Sequence, residues 1–129
     1  MKKILKIVVI LVLFVLVIGG GAIFYMTRGL DTIEDLTINS CDLTSLEDGL
    51  YTGKFEMGRF SNEIEVEVKE NSITSITLVE DVRFARPDIT EELFSKIMET
   101  QNTNVDITSG ATVTSKAYLK AIENALSAN

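Results

Sequence analysis

The sequence predicts an α+β fold in which an antiparallel β meander is followed by two helices, with one N-terminal transmembrane helix. Three patterns in the 129 residues indicate this arrangement. An uncharged apolar run opens the chain, segments of alternating apolar and polar residues follow it, and the last third repeats its apolar residues at helical spacing. Strands that precede helices without strict alternation favour a layered α+β domain.

The composition excludes several classes of function. The chain contains no histidine and no tryptophan, and its single cysteine is Cys41. We therefore expect no Ser-His-Asp or Cys-His catalysis, no metal site and no disulfide within the chain. The formal charge of −7 argues against nucleic-acid binding, which requires basic residues to replace the counterions of phosphate.

Residues 1–28 are predicted to be an uncleaved signal anchor that crosses the cell membrane once. The uncharged run from Ile7 to Met26 has 20 residues, and a helix of that length spans about 30 Å, the thickness of a bilayer core. The apolar core of a cleavable signal peptide is shorter, roughly 7–15 residues. Three lysines precede the run and only Arg28 directly follows it, so the positive-inside rule places the N-terminus in the cytoplasm and the C-terminal domain outside.

Residues 29–47 are predicted to form a linker. Gly29–Glu34 is short and polar and is interpreted as a tether, and the spacing of apolar residues in Asp35–Ser40 indicates a possible edge strand. Beyond Arg28 the chain carries 8 basic residues and 19 acidic ones, a net charge of −11. We expect such a surface to be repelled by anionic lipid headgroups and to stand off the membrane.

The predicted domain covers residues 48–129 and begins with a three-stranded meander. Leu50–Arg59 follows a turn signal and is the first strand. Glu63–Lys69 alternates without interruption, which is typical of a strand with one buried and one solvated face. Asn71 and Ser72 are predicted to form a tight turn, and Ile73–Glu80 is the third strand.

Two helices complete the domain. The first is predicted to start at a capping box in which Asp88 accepts hydrogen bonds from first-turn amides and Glu91 reaches back. Its buried face should contain Ile89, Leu93, Phe94, Ile97 and Met98. The polar loop Gln101–Gly110 leads to the last helix, Ser115–Leu126. The apolar stripe of that helix should contain Tyr118, Ile122, Ala125 and Leu126.

The stretch Asp106–Ser115 is the motif that points to chemistry. Free amides at a helix N-terminus favour an anion such as phosphate, and Gly110 allows the backbone to approach it closely. Threonine and serine hydroxyls also supply donors and points of covalent attachment. A helix start rich in serine and threonine is more often an ordinary N-cap, so the residues alone favour capping without excluding an anion site. No Walker-type lysine follows the glycine, which argues against a nucleoside-triphosphate loop.

The run Ser109–Ser115 resembles the signature of the FMN-binding domain family. That family includes the covalently flavinylated C subunit of sodium-translocating NADH:quinone reductase and small membrane-anchored extracytoplasmic flavoproteins. The resemblance extends over Asp48–Leu126, from the Asp48–Gly53 segment through the second and third predicted strands to the end of the last helix.

The resemblance implies that FMN is attached through a phosphoester to Thr112. Asp106, Ser109, Gly110 and Ala111 match the rest of the recognition pattern without a departure. In this family a separate Mg-dependent flavin transferase installs the flavin with FAD as the donor. The chain has no histidine that could deprotonate the Thr112 hydroxyl, which agrees with activation by an external enzyme.

The flavin ring requires an apolar or aromatic wall. The candidates are Tyr51, Phe55, Phe60, Phe84 and Tyr118. Each is equally accounted for as a core residue. Arg83 and Arg86 flank Phe84, so either one is a candidate contact for the flavin or its phosphate, with a surface ion pair as the alternative.

We therefore expect a redox carrier and not an enzyme. It would relay electrons between a membrane electron donor or acceptor and an extracytoplasmic partner, while residues 7–26 contact membrane lipid. Two alternatives remain at this point. One is a sensor or scavenger that binds FMN reversibly, and the other is an interaction domain without cofactor.

Overall fold

The computed structural model describes residues 1–107 and 111–127. The first element is helix α1, Lys2–Thr27, which contains none of the buried residues of the protein. Within Lys2–Glu34, an 18-residue window has a mean hydropathy of 3.1 and no burial inside the protein, so α1 is long and apolar enough to cross a membrane.

The segment after α1 is packed and is not the tether that the sequence predicts. Gly29 turns the chain with φ of 84°, and the short helix α2, Leu30–Glu34, follows. Ile33 is fully buried and packs with Phe60 and Ala117 of the domain. A Cβ atom on Gly29 would lie 2.5 Å from Met57, so glycine serves both the turn and the close packing. The sequence did not predict this packing, because Ile33 is surrounded by polar residues along the chain.

The possible edge strand at Asp35–Ser40 is wrong, because this segment contains no strand. The backbone of Asn39 is satisfied by side chains instead. Its N–H donates to the Glu123 carboxylate at 3.2 Å, and its carbonyl accepts from the Thr103 hydroxyl at 2.7 Å. A strand would need these same groups for a ladder.

The predicted meander is confirmed. Strands β1 (Gly49–Phe55), β2 (Asn62–Lys69) and β3 (Ser72–Glu80) form an antiparallel sheet in the order β1-β2-β3. The buried face of β2 carries Ile64, Val66 and Val68, as its alternation predicts. The turn between β2 and β3 lies at Glu70 and Asn71, one residue earlier than predicted, and both have the positive φ of a two-residue hairpin turn.

Helix α3, Pro87–Thr100, buries the predicted face, but its predicted capping box is wrong. The cap position is Arg86, whose side chain makes no cap hydrogen bond. Proline is favoured at the first helical position because its φ is already helical and its missing N–H is not needed there. The helix therefore begins at Pro87, and the Asp88 carboxylate pairs with Arg86 at 2.9 Å.

Helix α4, Thr112–Ser127, begins three residues earlier than predicted. The amide of Ser115 donates to the carbonyl of Ala111 at 2.9 Å, which closes the first helical turn. The predicted stripe of α4 is buried and packs on β1 and β2. The main core thus lies between the sheet and the two long domain helices, and a smaller cluster around Phe60 joins α2 to α4.

Candidate functional site

A cleft of about 320 Å³ opens at the N-terminus of α4. It is lined by Leu30, Glu34, Arg59, Phe60, Ala111, Thr112, Val113 and Thr114. These residues come from three parts of the chain: α2, the turn between β1 and β2, and the first turn of α4. Since the last of these opens the motif helix, the cleft is the place at which the motif meets the rest of the fold.

Arg59 forms one wall of the cleft and connects it to helix α1. It lies in the short 3-10 turn Gly58–Phe60, between β1 and β2. Its Nε donates to the carbonyl oxygen of Met26 at 2.9 Å, near the end of α1. The guanidinium carbon lies 4.4 Å from the centroid of the Phe60 ring, a cation–π contact. The cation is therefore held in place from two sides.

Asn62 fixes the same turn to α4. Its side-chain nitrogen donates to the carbonyls of Phe60 at 3.1 Å and Ala117 at 3.2 Å. The side chain is only 3% exposed, and its Oδ1 atom has no hydrogen-bond partner among the described residues. Two donated bonds thus set the distance between the Arg59 turn and the helix that carries Thr112.

The turn after β3, residues 81–86, lies beside Arg59. The backbone amide of Arg83 donates to the Arg59 carbonyl at 2.9 Å, and the Arg59 guanidinium carbon lies 6.0 Å from the centroid of the Phe84 ring. Asp81 anchors the start of this turn by accepting from the Tyr118 hydroxyl. Burial raises the pKa of Tyr118 and the bond to Asp81 raises it further, so the phenol remains protonated and acts as a donor.

The electrostatics of the cleft favour an anion. The first turn of α4, Thr112–Ser115, contains no acidic residue, so its own side chains do not offset the positive end of the helix dipole. Arg59 adds a full positive charge to the lining. Glu34 lies on the opposite wall with its backbone carbonyl bound by the Lys116 ammonium. A phosphate group would meet both the helix N-terminus and a guanidinium there.

Two of the five predicted site residues line the cleft. Thr112 is the first residue of α4 and half-buried, and Ala111 is buried directly before it. Asp106 is exposed in the loop after α3, where its carbonyl accepts from Lys96 at 3.3 Å, and it lies outside the described lining. Ser109 and Gly110 fall outside the described residues.

Among the predicted aromatic candidates, Phe60 lines the cleft and Phe84 lies beside its Arg59 wall. The other three belong to the core. Tyr118 is fully buried in edge contact with Phe94, the Tyr51 hydroxyl donates to the Glu47 carbonyl, and Phe55 packs against both apolar clusters.

The two arginines that flank Phe84 have different contacts. Arg86 pairs with Asp88 on the surface at 2.9 Å, which is the alternative that the sequence left open for it. The Arg83 guanidinium lies 5.9 Å from the ring centroid of Tyr25. Arg83 therefore contacts the end of α1.

The sequence analysis missed Arg59, Leu30 and Glu34. All three lie far from the motif in the chain and reach it only through tertiary packing. The neighbouring Phe60 was a candidate, and an arginine next to an aromatic candidate is the one signal that could have indicated Arg59.

A comparison with family models matches residues 60–127 to the FMN-binding domain. The match covers more than half of the chain, from Phe60, which directly follows Arg59, to the last described residue of α4. No curated protein matches the chain.

Proposed function

Because the chain belongs to the FMN-binding domain family and FMN is its cofactor, we propose that it is a membrane-anchored, extracytoplasmic electron carrier with FMN esterified to Thr112. The observation that supports this most directly is the position of Thr112, which begins α4 and lines the cleft together with Arg59. The residues alone favoured ordinary N-capping. The family and the cleft favour attachment.

The residues of the cleft fit FMN. A volume of about 320 Å³ lies within the range of roughly 300–1,000 Å³ that is usual for small-molecule sites. The α4 N-terminus and Arg59 would hold the phosphate, and Leu30, Phe60 and Val113 provide apolar surface. When bound, FMN supplies the one- and two-electron redox chemistry that the side chains of this protein lack.

We propose that attachment requires an external Mg-dependent flavin transferase with FAD as donor. The Thr112 hydroxyl oxygen forms a bond to the phosphorus of the FMN half, the pyrophosphate bond breaks, AMP leaves, and the hydroxyl proton passes to the transferase or to solvent. The chain has no histidine to accept that proton, and Glu34 is the one carboxylate residue among the described residues that line the cleft.

The role of an anchored carrier agrees with α1. An apolar helix preceded by three lysines would keep the domain at the outer surface of the membrane, next to a membrane electron donor or acceptor. A phosphoester would prevent the loss of the flavin from a protein exposed to the medium. The protein would then bind the flavin and tune its potential as a carrier, without a catalytic activity of its own.

The first experiment compares Thr112→Ala with Thr114→Ala in a host that contains the transferase. Both threonines line the cleft on the same helical turn, so the pair controls for general disturbance of α4. We expect the wild type and the Thr114 variant to gain the mass of FMN and to fluoresce in a denaturing gel, and we expect Thr112→Ala to do neither.

Two results would contradict covalent attachment. Native protein with the mass of the bare polypeptide would exclude the phosphoester. The second result has two parts: Thr112→Ala keeps flavin during native purification, and the wild type loses its flavin on denaturation. Together they would support a reversible sensor or scavenger instead.

A further inference from the structure

Phe84 has a conformation and an exposure that folding alone does not explain. It is 64% exposed and has φ of 62°, in the left-handed region that a bulky residue seldom occupies. The other two apolar residues of the turn face the core, Val82 being buried in it and Ala85 packing against it, so the turn holds only Phe84 outward. Costly backbone conformations of this kind cluster at functional sites, which points to a partner for the exposed ring.

The Phe84 turn is tied to the end of the membrane helix. The amide of Arg83 donates to the carbonyl of Arg59, and Arg59 in turn donates to the carbonyl of Met26 at 2.9 Å. The Arg83 guanidinium also lies 5.9 Å from the ring centroid of Tyr25. Two separate contacts therefore fix the height of the turn relative to α1.

That height corresponds to the membrane interface. The uncharged run of α1 ends at Met26, and Tyr25 and Met26 are partly exposed on its last turn. Tyrosine is enriched at the boundary between acyl chains and headgroups, where its ring and hydroxyl are both accommodated. A turn packed against Tyr25 and Met26 must lie close to that boundary.

The charges near the turn suit phospholipid headgroups. The chain has four arginines, and all of them lie in or next to these segments. Arg28 directly follows α1, Arg59 lies in the turn between β1 and β2, and Arg83 and Arg86 lie in residues 81–86. Two carboxylates adjacent to these arginines in the chain have partners within the protein, while Glu34 shares the lining of the cleft with Arg59. Asp81 accepts from Tyr118 and from the amide of Val82, and Asp88 accepts from Arg86. Although the chain beyond Arg28 has a net charge of −11, the guanidinium groups of the protein are grouped near the end of α1.

We propose that residues 81–86 form a second membrane contact, in which Phe84 enters the boundary between headgroups and acyl chains and Arg83 binds lipid phosphate. This rests on the proposed anchoring by α1. The docked turn holds the domain against the bilayer, contrary to the expectation from net charge that the domain stands off. Because Arg59 contacts both Phe84 and the Thr112 cleft, docking places the cleft beside the membrane surface.

The absence of tryptophan in the sequence allows a direct test. Phe84→Trp and Leu50→Trp are matched, because the replaced residues are 64% and 63% exposed. Leu50 lies toward the opposite end of the sheet, roughly 17 Å of strand from Phe55. Each full-length variant is reconstituted into vesicles of phosphatidylcholine and phosphatidylglycerol, with Thr112→Ala added so that no tethered flavin quenches the emission.

With lipids brominated near the headgroup, we expect Phe84→Trp to lose most of its emission and Leu50→Trp to keep it. Adding Arg83→Gln should reduce the quenching of Phe84→Trp in bilayers with phosphatidylglycerol. The matched change Lys69→Gln, at the distal end of β2, should leave it unchanged.

Flotation with the lipid separates the possible failures. If the protein floats with the lipid but brominated lipid quenches Phe84→Trp and Leu50→Trp equally weakly, docking of the turn is wrong. The proposed anchor is unaffected by that result. Protein that does not float would overturn the anchor as well. If the tryptophan of Phe84→Trp is quenched by attached flavin in the Thr112 protein but not by brominated lipid, the ring covers the cofactor and docking is wrong.

Discussion

At the scale of single residues, a few polar side chains hold segments that have no regular structure. Glu123 on α4 is the clearest case. Its carboxylate accepts from the backbone and side-chain nitrogens of Asn39, both at 3.2 Å, and from the Lys120 ammonium at 2.9 Å. Burial would raise the pKa of Glu123, but the hydrogen bonds from Lys120 and Asn39 outweigh it and lower the pKa below its usual 4.5.

We expect Glu123→Gln to destabilise the domain in a pH-dependent manner. A carboxylate whose pKa is lower in the folded state contributes stability above its unfolded pKa and loses that contribution as the pH falls through the folded value. The variant should therefore be less stable than wild type by about 1–2 kcal/mol at neutral pH. The difference should shrink at a pH well below 4.5. Urea unfolding in detergent micelles at both pH values measures this.

Glu91→Gln makes the same chemical change on the exposed surface of α3 and serves as the control. Its effect should be small at both pH values. A Glu123 effect that is the same at both pH values would contradict the carboxylate as the source of the stability.

Which residues could be predicted depended on how local their signal is. Thr112 and Ala111 are adjacent in a motif, and both line the cleft. Arg59 reaches the cleft through tertiary packing, and its only local signal was its position next to the aromatic candidate Phe60. The edge strand was predicted from apolar residues two apart, but side chains from Thr103 and Glu123 bind the backbone of Asn39 instead. These side chains come from distant parts of the chain, so their competition with strand pairing cannot be predicted from the sequence of one segment.

At the scale of elements, the direct packing of α4 on β1 positions the cleft. Gly53 is the point of closest approach. A Cβ atom there would lie 2.0 Å from the Ala121 carbonyl oxygen and 2.4 Å from the Ala125 nitrogen. These are backbone atoms of α4 and cannot move without the helix. This explains physically why the Asp48–Gly53 segment ends in glycine and why α4 has alanine where it crosses the strand.

We expect Gly53→Ala to destabilise the domain by about 3 kcal/mol, because the helix must shift to admit one methyl group. Thr52→Ala is the control, since Thr52 is exposed on the same strand and its replacement should change stability by less than about 1 kcal/mol. Thermal and urea unfolding of both variants provide the comparison. Equal stabilities would mean that α4 does not lie as close to β1 as described.

The types of the elements, helix or strand, were predicted more accurately than the residues at which they begin. The strict alternation in Glu63–Lys69 and the helical spacing after Pro87 are strong signals, and both gave the right structure. Helix starts were less certain because several residues compete for the cap. Asp88 looked like a cap but follows Pro87, and α4 begins at Thr112 although Ser115 was predicted. In α4 the earlier start matters, since it makes Thr112 the first helical residue.

At the scale of the whole molecule, the distribution of charge matters more than its sum. The arginines are grouped near the end of α1, and acidic residues such as Glu65 and Glu67 continue along the solvated face of the sheet away from that end. A domain of this kind can approach a bilayer at one end and remain soluble at the other. In the proposed topology the end of α1 and the domain both lie on the extracytoplasmic side of the membrane.

The single cysteine offers a test of that topology. Cys41 is half-buried and lines a cavity of about 490 Å³, so its thiol is open to a small reagent. In intact cells we expect a membrane-impermeant maleimide to label Cys41. Lys3→Cys with Cys41→Ser should be labelled only after permeabilisation, because its remaining lysines, Lys2 and Lys6, still favour a cytoplasmic N-terminus. Exposed Leu50→Cys in the same background controls for slow reaction of Cys41. Labelling of Cys41 and Leu50→Cys only after permeabilisation would place the domain, and the proposed flavin site, inside the cell.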